Sequence, residues 1–192
     1  MLVFTFALLL AGASGTPPVS KIRIGCEHAM KFGDAKASRR LLLAEVSGST
    51  DAGATAWRLF ADFAELKSYS DRSGAPDGQA WVWRDNRNTI IASFMFQSDS
   101  GDWSHSVDYC YQGSGELMRI HEKYMSFSEN VEVVSDTYFS ADGRVLKTRS
   151  RAVDLESKKV LRDYQGDRAP KYMRVSDLPF STILQERGLT AR

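Results

Sequence analysis

Residues that carry most metal and nucleophile chemistry are scarce in this chain: of 192 residues, two are cysteine and three are histidine. His28, His105 and His121 lie far apart, and Cys26-Glu27-His28 is the one close Cys/His grouping. Zinc sites draw their ligands as spaced pairs from one element, so no metal site is expected, and no motif calls for a cofactor. An excess of one charge is missing too. Twenty-five Lys+Arg against 24 Asp+Glu leave a net charge of +1, so no global field recruits nucleic acid or an anionic surface. The basic residues from Arg144 to Arg162 are interrupted by Asp154 and Glu156, with no stacking aromatics interleaved, which argues against nucleic acid as a partner. Nothing in the chain points to a protein partner. Repeats and low-complexity segments are absent. No apolar run reaches the ~20 residues that span a bilayer, so no transmembrane segment is expected in the mature chain.

What is present reads as an ordinary globular domain, with 43% hydrophobic and 26% charged residues. The longest apolar run, Met1 to Ala11, is uncharged and leads into Ala11-Gly12-Ala13, small residues at the positions a signal peptidase requires. Residues 1–15 therefore read as a signal peptide, and residues 20–192 as one α+β domain of an exported chain, periplasmic or secreted. No Lys or Arg precedes the run, and the alternative is a buried N-terminal strand. An exported chain meets an oxidising compartment. A Cys26–Cys110 disulfide is one reading; it would close a loop of about 80 residues and contribute up to ~4 kcal/mol in the chain-entropy model. The other leaves Cys110 as a small strand residue and Cys26 as a loop thiol.

Residues 39–46 form either a strand or a short helix. Trp57, Phe60, Ala61, Phe63, Ala64 and Leu66 follow Ser49-Thr50-Asp51 at helical spacing, which predicts an amphipathic helix over 52–68 covering one face of a sheet. From Ala80 to Val153, runs of alternating polarity separated by turn signals predict an antiparallel β-meander of about six strands. Two-residue turns are expected at Asn86-Arg87, Ser100-Gly101, Ser114-Gly115, Ser128-Glu129 and Asp142-Gly143. They place Phe94, Val107, Glu122, Ser135 and Ser150 in one row. Ala92, Tyr109, Ile120, Thr137 and Thr148 form a second row, and Ile90, Tyr111, Met118, Phe139 and Leu146 a third. The opposite face then carries Asp108, His121, Asp136 and Arg149 as a solvated ladder of alternating charge. Ser176-Asp177-Leu178-Pro179 and Gly188 bracket a short closing helix, 178–187.

The stretch from Ser49 to Phe63, with its place before the meander, resembles the corresponding segment of the helix-grip polyketide-cyclase and START-like proteins. The half-barrel periplasmic lipoprotein carriers suit the export signal equally well.

Glu122 is anomalous on the apolar face, with His105 and Tyr124 as neighbours. Desolvating a carboxylate raises its pKa unless hydrogen bonds or the histidine's charge hold it ionised. One reading makes Glu122 and His105 an acid/base pair of an enzyme; the other leaves Glu122 wet, or satisfied by Ser135, Ser150 and a water. Ser135, Thr137, Thr148 and Ser150 are small hydroxyl residues where a tight core would want Val or Ile. They suggest either a cavity between helix and sheet that binds or carries a small apolar or lipid-like ligand, with Tyr124 at its side, or simply a sheet edge. A module with neither pocket nor chemistry is the third reading. On the other face, Asp108, His121 and Ser106 have the residue types of a triad but no evident oxyanion donors, and read as surface charge.

Overall fold

The computed structural model describes residues 17–47, 55–162, 164 and 168–190; the signal peptide expected over 1–15 lies outside them. Its first element is a helix that the periodicity did not announce, α1 (Val19–Ala35). The buried stripe of α1 is Ile22, Cys26, Ala29 and Gly33, at helical spacing but made mostly of small residues. Such a stripe has little hydrophobic contrast in sequence. In space it lets the helix backbone come close to a tryptophan: Trp83 Nε1 donates to the Ala29 carbonyl at 2.8 Å. A Cβ on Gly33 would lie 2.3 Å from the Trp83 ring, so glycine is required there by proximity.

Among the described residues nine strands, all antiparallel, belong to one sheet. They are β1 (Leu41–Ser47), β2 (Thr55–Phe60), β3 (Gly78–Arg84), β4 (Ile90–Gln97), β5 (Trp103–Tyr111), β6 (Leu117–Ser126), β7 (Val131–Phe139), β8 (Val145–Asp154) and β9 (Val160–Leu161). Their order is β2-β1-β3-β4-β5-β6-β7-β8-β9. The six-stranded meander is β3 to β8. Its register is the expected one across the middle of the sheet: Phe94 faces Val107, which faces Glu122, then Ser135, then Ser150. Asp108, His121, Asp136 and Arg149 likewise face one another in turn.

Near three turns the expected pairing slips by one residue. Tyr111 pairs with Leu117 instead of Met118, and Phe139 with Val145 instead of Leu146. The loops there hold three residues, closed by Gln112 N–H to Glu116 O and Ser140 N–H to Arg144 O, and Gly115 and Gly143 take φ of 92° and 83°. A glycine in that conformation at the end of a three-residue loop makes a bulge that shifts the register once and restores it further along. The first turn has Asn88 at φ 66°, and there Trp83 pairs with Ile91. Trp81 and Trp83 are thereby turned toward α1.

The span 52–68, expected to be one helix, divides. Residues 55–60 are strand β2, with Trp57 opposite Glu45 of β1, so the likeness to helix-grip proteins rested on residues that include a strand. The helix that packs on the sheet here is α2 (Phe63–Ser73), whose Leu66 is buried with Leu42, Ala44 and Phe60. The signal for its start is Asp62-x-x-Glu65: Asp62 accepts from Glu65 N–H at 2.9 Å, and Glu65 accepts from Ala61 N–H at 2.7 Å. Trp57 and Phe60, read as one helical stripe, instead point to opposite faces of a strand.

Each face of the sheet has its own cover. The face carrying Ala80, Val82, Ala92, Phe94, Val107, Tyr109 and Ile120 lies under the C-terminal segment, residues 168–190, with Ala169, Val175, Leu178, Phe180 and Leu184 buried against it. This strap is irregular over 168–173 and then forms a 3-10 turn (Val175–Asp177) and a helix α3 (Ser181–Glu186), shorter than the 178–187 expected. Main-chain bonds tie it to the β5–β6 hairpin: Leu117 N–H to Met173 O at 2.9 Å and Val175 N–H to Gly115 O at 3.0 Å. Tyr109 donates to Pro170 O at 2.8 Å and Tyr111 to Tyr172 O at 3.2 Å. Burial pushes both phenol pKa values up, so both remain protonated donors.

On the other face, Trp83, Ile91, Cys110 and Tyr138 lie under α1, and that face is not the uniformly solvated ladder expected. Cys26 and Cys110 are bonded, with Cα atoms 5.9 Å apart, joining α1 to the C-terminal end of β5. Bridges of this kind persist in oxidising compartments. Among the described residues no helix is long and apolar enough to cross a membrane. Replacing Cys26→Ser and Cys110→Ser together should lower stability by about 2–4 kcal/mol, read as a shift of the urea midpoint. Amide exchange should quicken in α1 first; an unchanged midpoint would mean that Trp83 and the small-residue stripe suffice to dock it.

Candidate functional site

Glu122 sits at the middle of β6 with both carboxylate oxygens occupied. Oε1 accepts from His105 Nε2 at 3.2 Å and from Ala169 N–H at 2.7 Å, and Oε2 accepts from Ser135 Oγ at 3.2 Å. The side chain is 12% exposed and that of His105 21% exposed, so these bonds form largely out of water. Burial is the largest single influence on the carboxyl and pushes its pKa up. The His105 hydrogen bond, the Ala169 N–H, the charge of His105 and Ser135 together outweigh it, and the net pKa lies below the ordinary glutamate value. Glu122 is therefore an ionised acceptor that ties β5, β7 and the strap to β6. His105 packs edge-on against Tyr124, whose hydroxyl turns away to donate to Glu129 at 3.2 Å.

The space beside Glu122 is small. A cavity of about 30 Å³ lies between Glu122, Tyr124, Val133, Ser135, Ser150, Tyr164 and Arg168, which is room on the scale of a water. Ser135, Ser150 and Tyr124 thus line one small space with Glu122, and of these Tyr124 touches His105. Thr137 and Thr148 are not part of it: they lie in the next row, their hydroxyls 3.4 Å apart, and Thr148 is exposed on β8.

A larger pocket opens on the other side of His105. Its volume is about 290 Å³, and its walls are Trp57, Phe94, Phe96, Val107, Tyr109 and Tyr172, closed by Ala169, Pro170 and Pro179 of the strap. The rings interlock: Phe94 meets Trp57 and Tyr109 edge-on, each at 5.5 Å between centroids, and stacks with Tyr172 at 6.2 Å. Glu45, His105 and Arg168 supply the polar groups. Sequence reasoning missed this pocket because Trp57 was assigned to a helix and nothing in residue order lays 168–180 against the sheet. One part of it was within reach: Phe94 beside Val107 and Phe96 beside His105 follow from the β4–β5 turn alone.

On the α1 face, a cavity of about 280 Å³ is lined by Cys26, Cys110, Asp108, Arg119 and His121. Asp108 has its pKa raised by burial, an effect only partly offset by Ser93 Oγ, which donates to it at 2.6 Å. Burial also works on Asp136, but His121 and Arg119, bonded to it at 3.1 and 2.8 Å, bring its pKa below the usual range. The ladder is therefore locally neutralised, with Arg119 in the place expected for Arg149. Ser106 donates weakly to Lys123 O at 3.5 Å and makes no bond to His121, so the triad residues are not assembled.

No protein-family model matches the chain, and neither curated proteins nor solved structures offer a match.

A lowered folded-state pKa means that the Glu122 contribution is fully present above the ordinary value of 4.5 and is lost as pH falls through the folded value. Glu122→Gln should cost about 1–3 kcal/mol at neutral pH, because buried donors lose a charged acceptor. The gap from the parent protein should narrow as pH falls below 4.5. Urea unfolding at a series of pH values measures it, and a gap independent of pH would contradict the ionised assignment.

Proposed function

We propose that this is an exported binding or carrier protein for a small, largely apolar ligand, held between the aromatic row of the sheet and the C-terminal strap. The observation that carries the reading is the pocket of about 290 Å³ walled by Trp57, Phe94, Phe96, Tyr109 and Tyr172, with Glu45, His105 and Arg168 among its polar groups. Apolar walls with a few placed polar groups are the usual make-up of small-molecule sites, and this volume stands at the low end of their range of ~300–1,000 Å³. A compact, ring-sized ligand suits it better than a long acyl chain. Export is supported by the apolar segment ahead of residue 16 and by the Cys26–Cys110 disulfide.

An enzyme using Glu122 and His105 as acid and base is the weaker reading. A carboxylate with a lowered pKa, already accepting three hydrogen bonds, is a poor proton acceptor and has no proton to donate near neutral pH. Its bonds suit a different task. By holding Ala169 and His105, Glu122 positions two parts of the pocket wall.

Organic extraction of the purified protein followed by mass spectrometry should recover a small apolar compound. After extraction, the protein should bind anilinonaphthalene sulfonate saturably at one site. Phe96→Ala, which removes one wall of the pocket, should weaken that binding about tenfold, the equivalent of ~1.4 kcal/mol. Probe binding that does not saturate, or that ignores Phe96→Ala, would overturn the assignment of the pocket.

A further inference from the structure

Strand β8 is paired on its inner side with β7 along its whole length, but on its outer side β9 pairs only with Ala152 and Val153. Among the described residues nothing pairs with the outer side of residues 145–151, all of them exposed. That is a free edge of roughly 23 Å at ~3.3 Å per residue, offering unpaired main-chain donors and acceptors. Lys147, Arg149 and Arg151 alternate along it and therefore share one face of the sheet.

None of these three cations lies within ion-pair distance of a carboxylate among the described residues. The nearest acids are committed elsewhere: Asp136 to Arg119 and His121, and Glu132 to Lys123 at 2.9 Å, with Arg151 acting on Glu132 only at longer range. On the same side, a groove of about 390 Å³ runs between β7 and β8, lined by Glu132, Val134, Asp136, Arg149 and Arg151. Its floor is apolar at Val134, and its uncompensated charge is positive. At the other edge of the sheet, β2 differs: its cation Arg58 is paired with Glu65 at 3.3 Å.

We propose that the outer edge of β8 takes up an extended, acidic segment of another protein by strand addition. The main chain of the partner continues the ladder, and carboxylates at its alternate positions meet Lys147, Arg149 and Arg151. Strand addition divides the work in this way, main-chain bonds giving affinity and alternate side chains giving selection. Charge decides between occupants. A second copy pairing through the same edge would set these cations against one another, which is destabilising across strands, whereas an acidic strand neutralises them.

A fluorescent heptapeptide alternating threonine and aspartate, titrated against the full protein at low salt, should bind saturably. The same peptide with lysine for aspartate should not. N-methylation of alternate peptide bonds, which leaves the charge unchanged, should abolish binding. Arg149→Glu with Arg151→Glu should weaken it about tenfold or more, with circular dichroism unchanged because both side chains are exposed. Equal binding of the N-methylated peptide would reduce the site to a diffuse charge effect and overturn strand addition. Absence of saturable binding to the acidic peptide would leave the cations as guards against edge pairing and overturn the proposal entirely.

Discussion

Side chains on a strand alternate between two faces, so six strands joined by short turns must agree in register or expose their apolar residues to water. Every other feature of this protein leans on that agreement. It gathers Val82, Ala92, Phe94, Val107, Tyr109 and Ile120 on one side of the sheet and Trp83, Ile91, Cys110 and Tyr138 on the other, giving two cores that need separate covers. The strap serves the first and α1 the second. The glycine bulges at Gly115 and Gly143 end the pairing at the turns without disturbing the middle rows, where the site is built.

Within that frame, Glu122 is a charge placed where a hydrophobic side chain would ordinarily go. Burying an ionised carboxylate is costly unless donors replace its water, and here the donors come from three segments: His105 of β5, Ser135 of β7 and Ala169 of the strap. The satisfied charge therefore acts as a fastener between distant parts of the chain. It also sets the boundary of the open space. On its side toward β8 a water-sized cavity remains, while beyond His105 the aromatic rings and the strap enclose room for a small ligand.

The asymmetry of the sheet edges has the same origin. A meander ends where the chain leaves it, and here it leaves after the two-residue strand β9, too short to cover β8. A ladder of main-chain groups is left beside three cations whose neighbouring acids are already engaged. Further in on the same face, beside α1, the charges are balanced, with Asp136, Arg119 and His121 neutralising one another.

Much of this was legible from residue order. Hairpin partners sum to a constant once a turn is placed, so the meander, the neighbours of Glu122 and the row through Asp108, His121, Asp136 and Arg149 followed from local turns and alternation of polarity. What residue order alone did not decide are contacts that close over long separations and carry no such arithmetic. Ala29 meets Trp83 across 54 residues, and Glu122 meets Ala169 across 47. The small-residue stripe of α1 is invisible until a tryptophan packs against it, and Trp57 reads equally well as helix or strand until β1 is beside it. The disulfide likewise waited on geometry, since spacing of two cysteines leaves bonded and free thiols equally open. Local alternation thus determined the sheet, while tertiary closure decided which faces are covered and where a pocket survives.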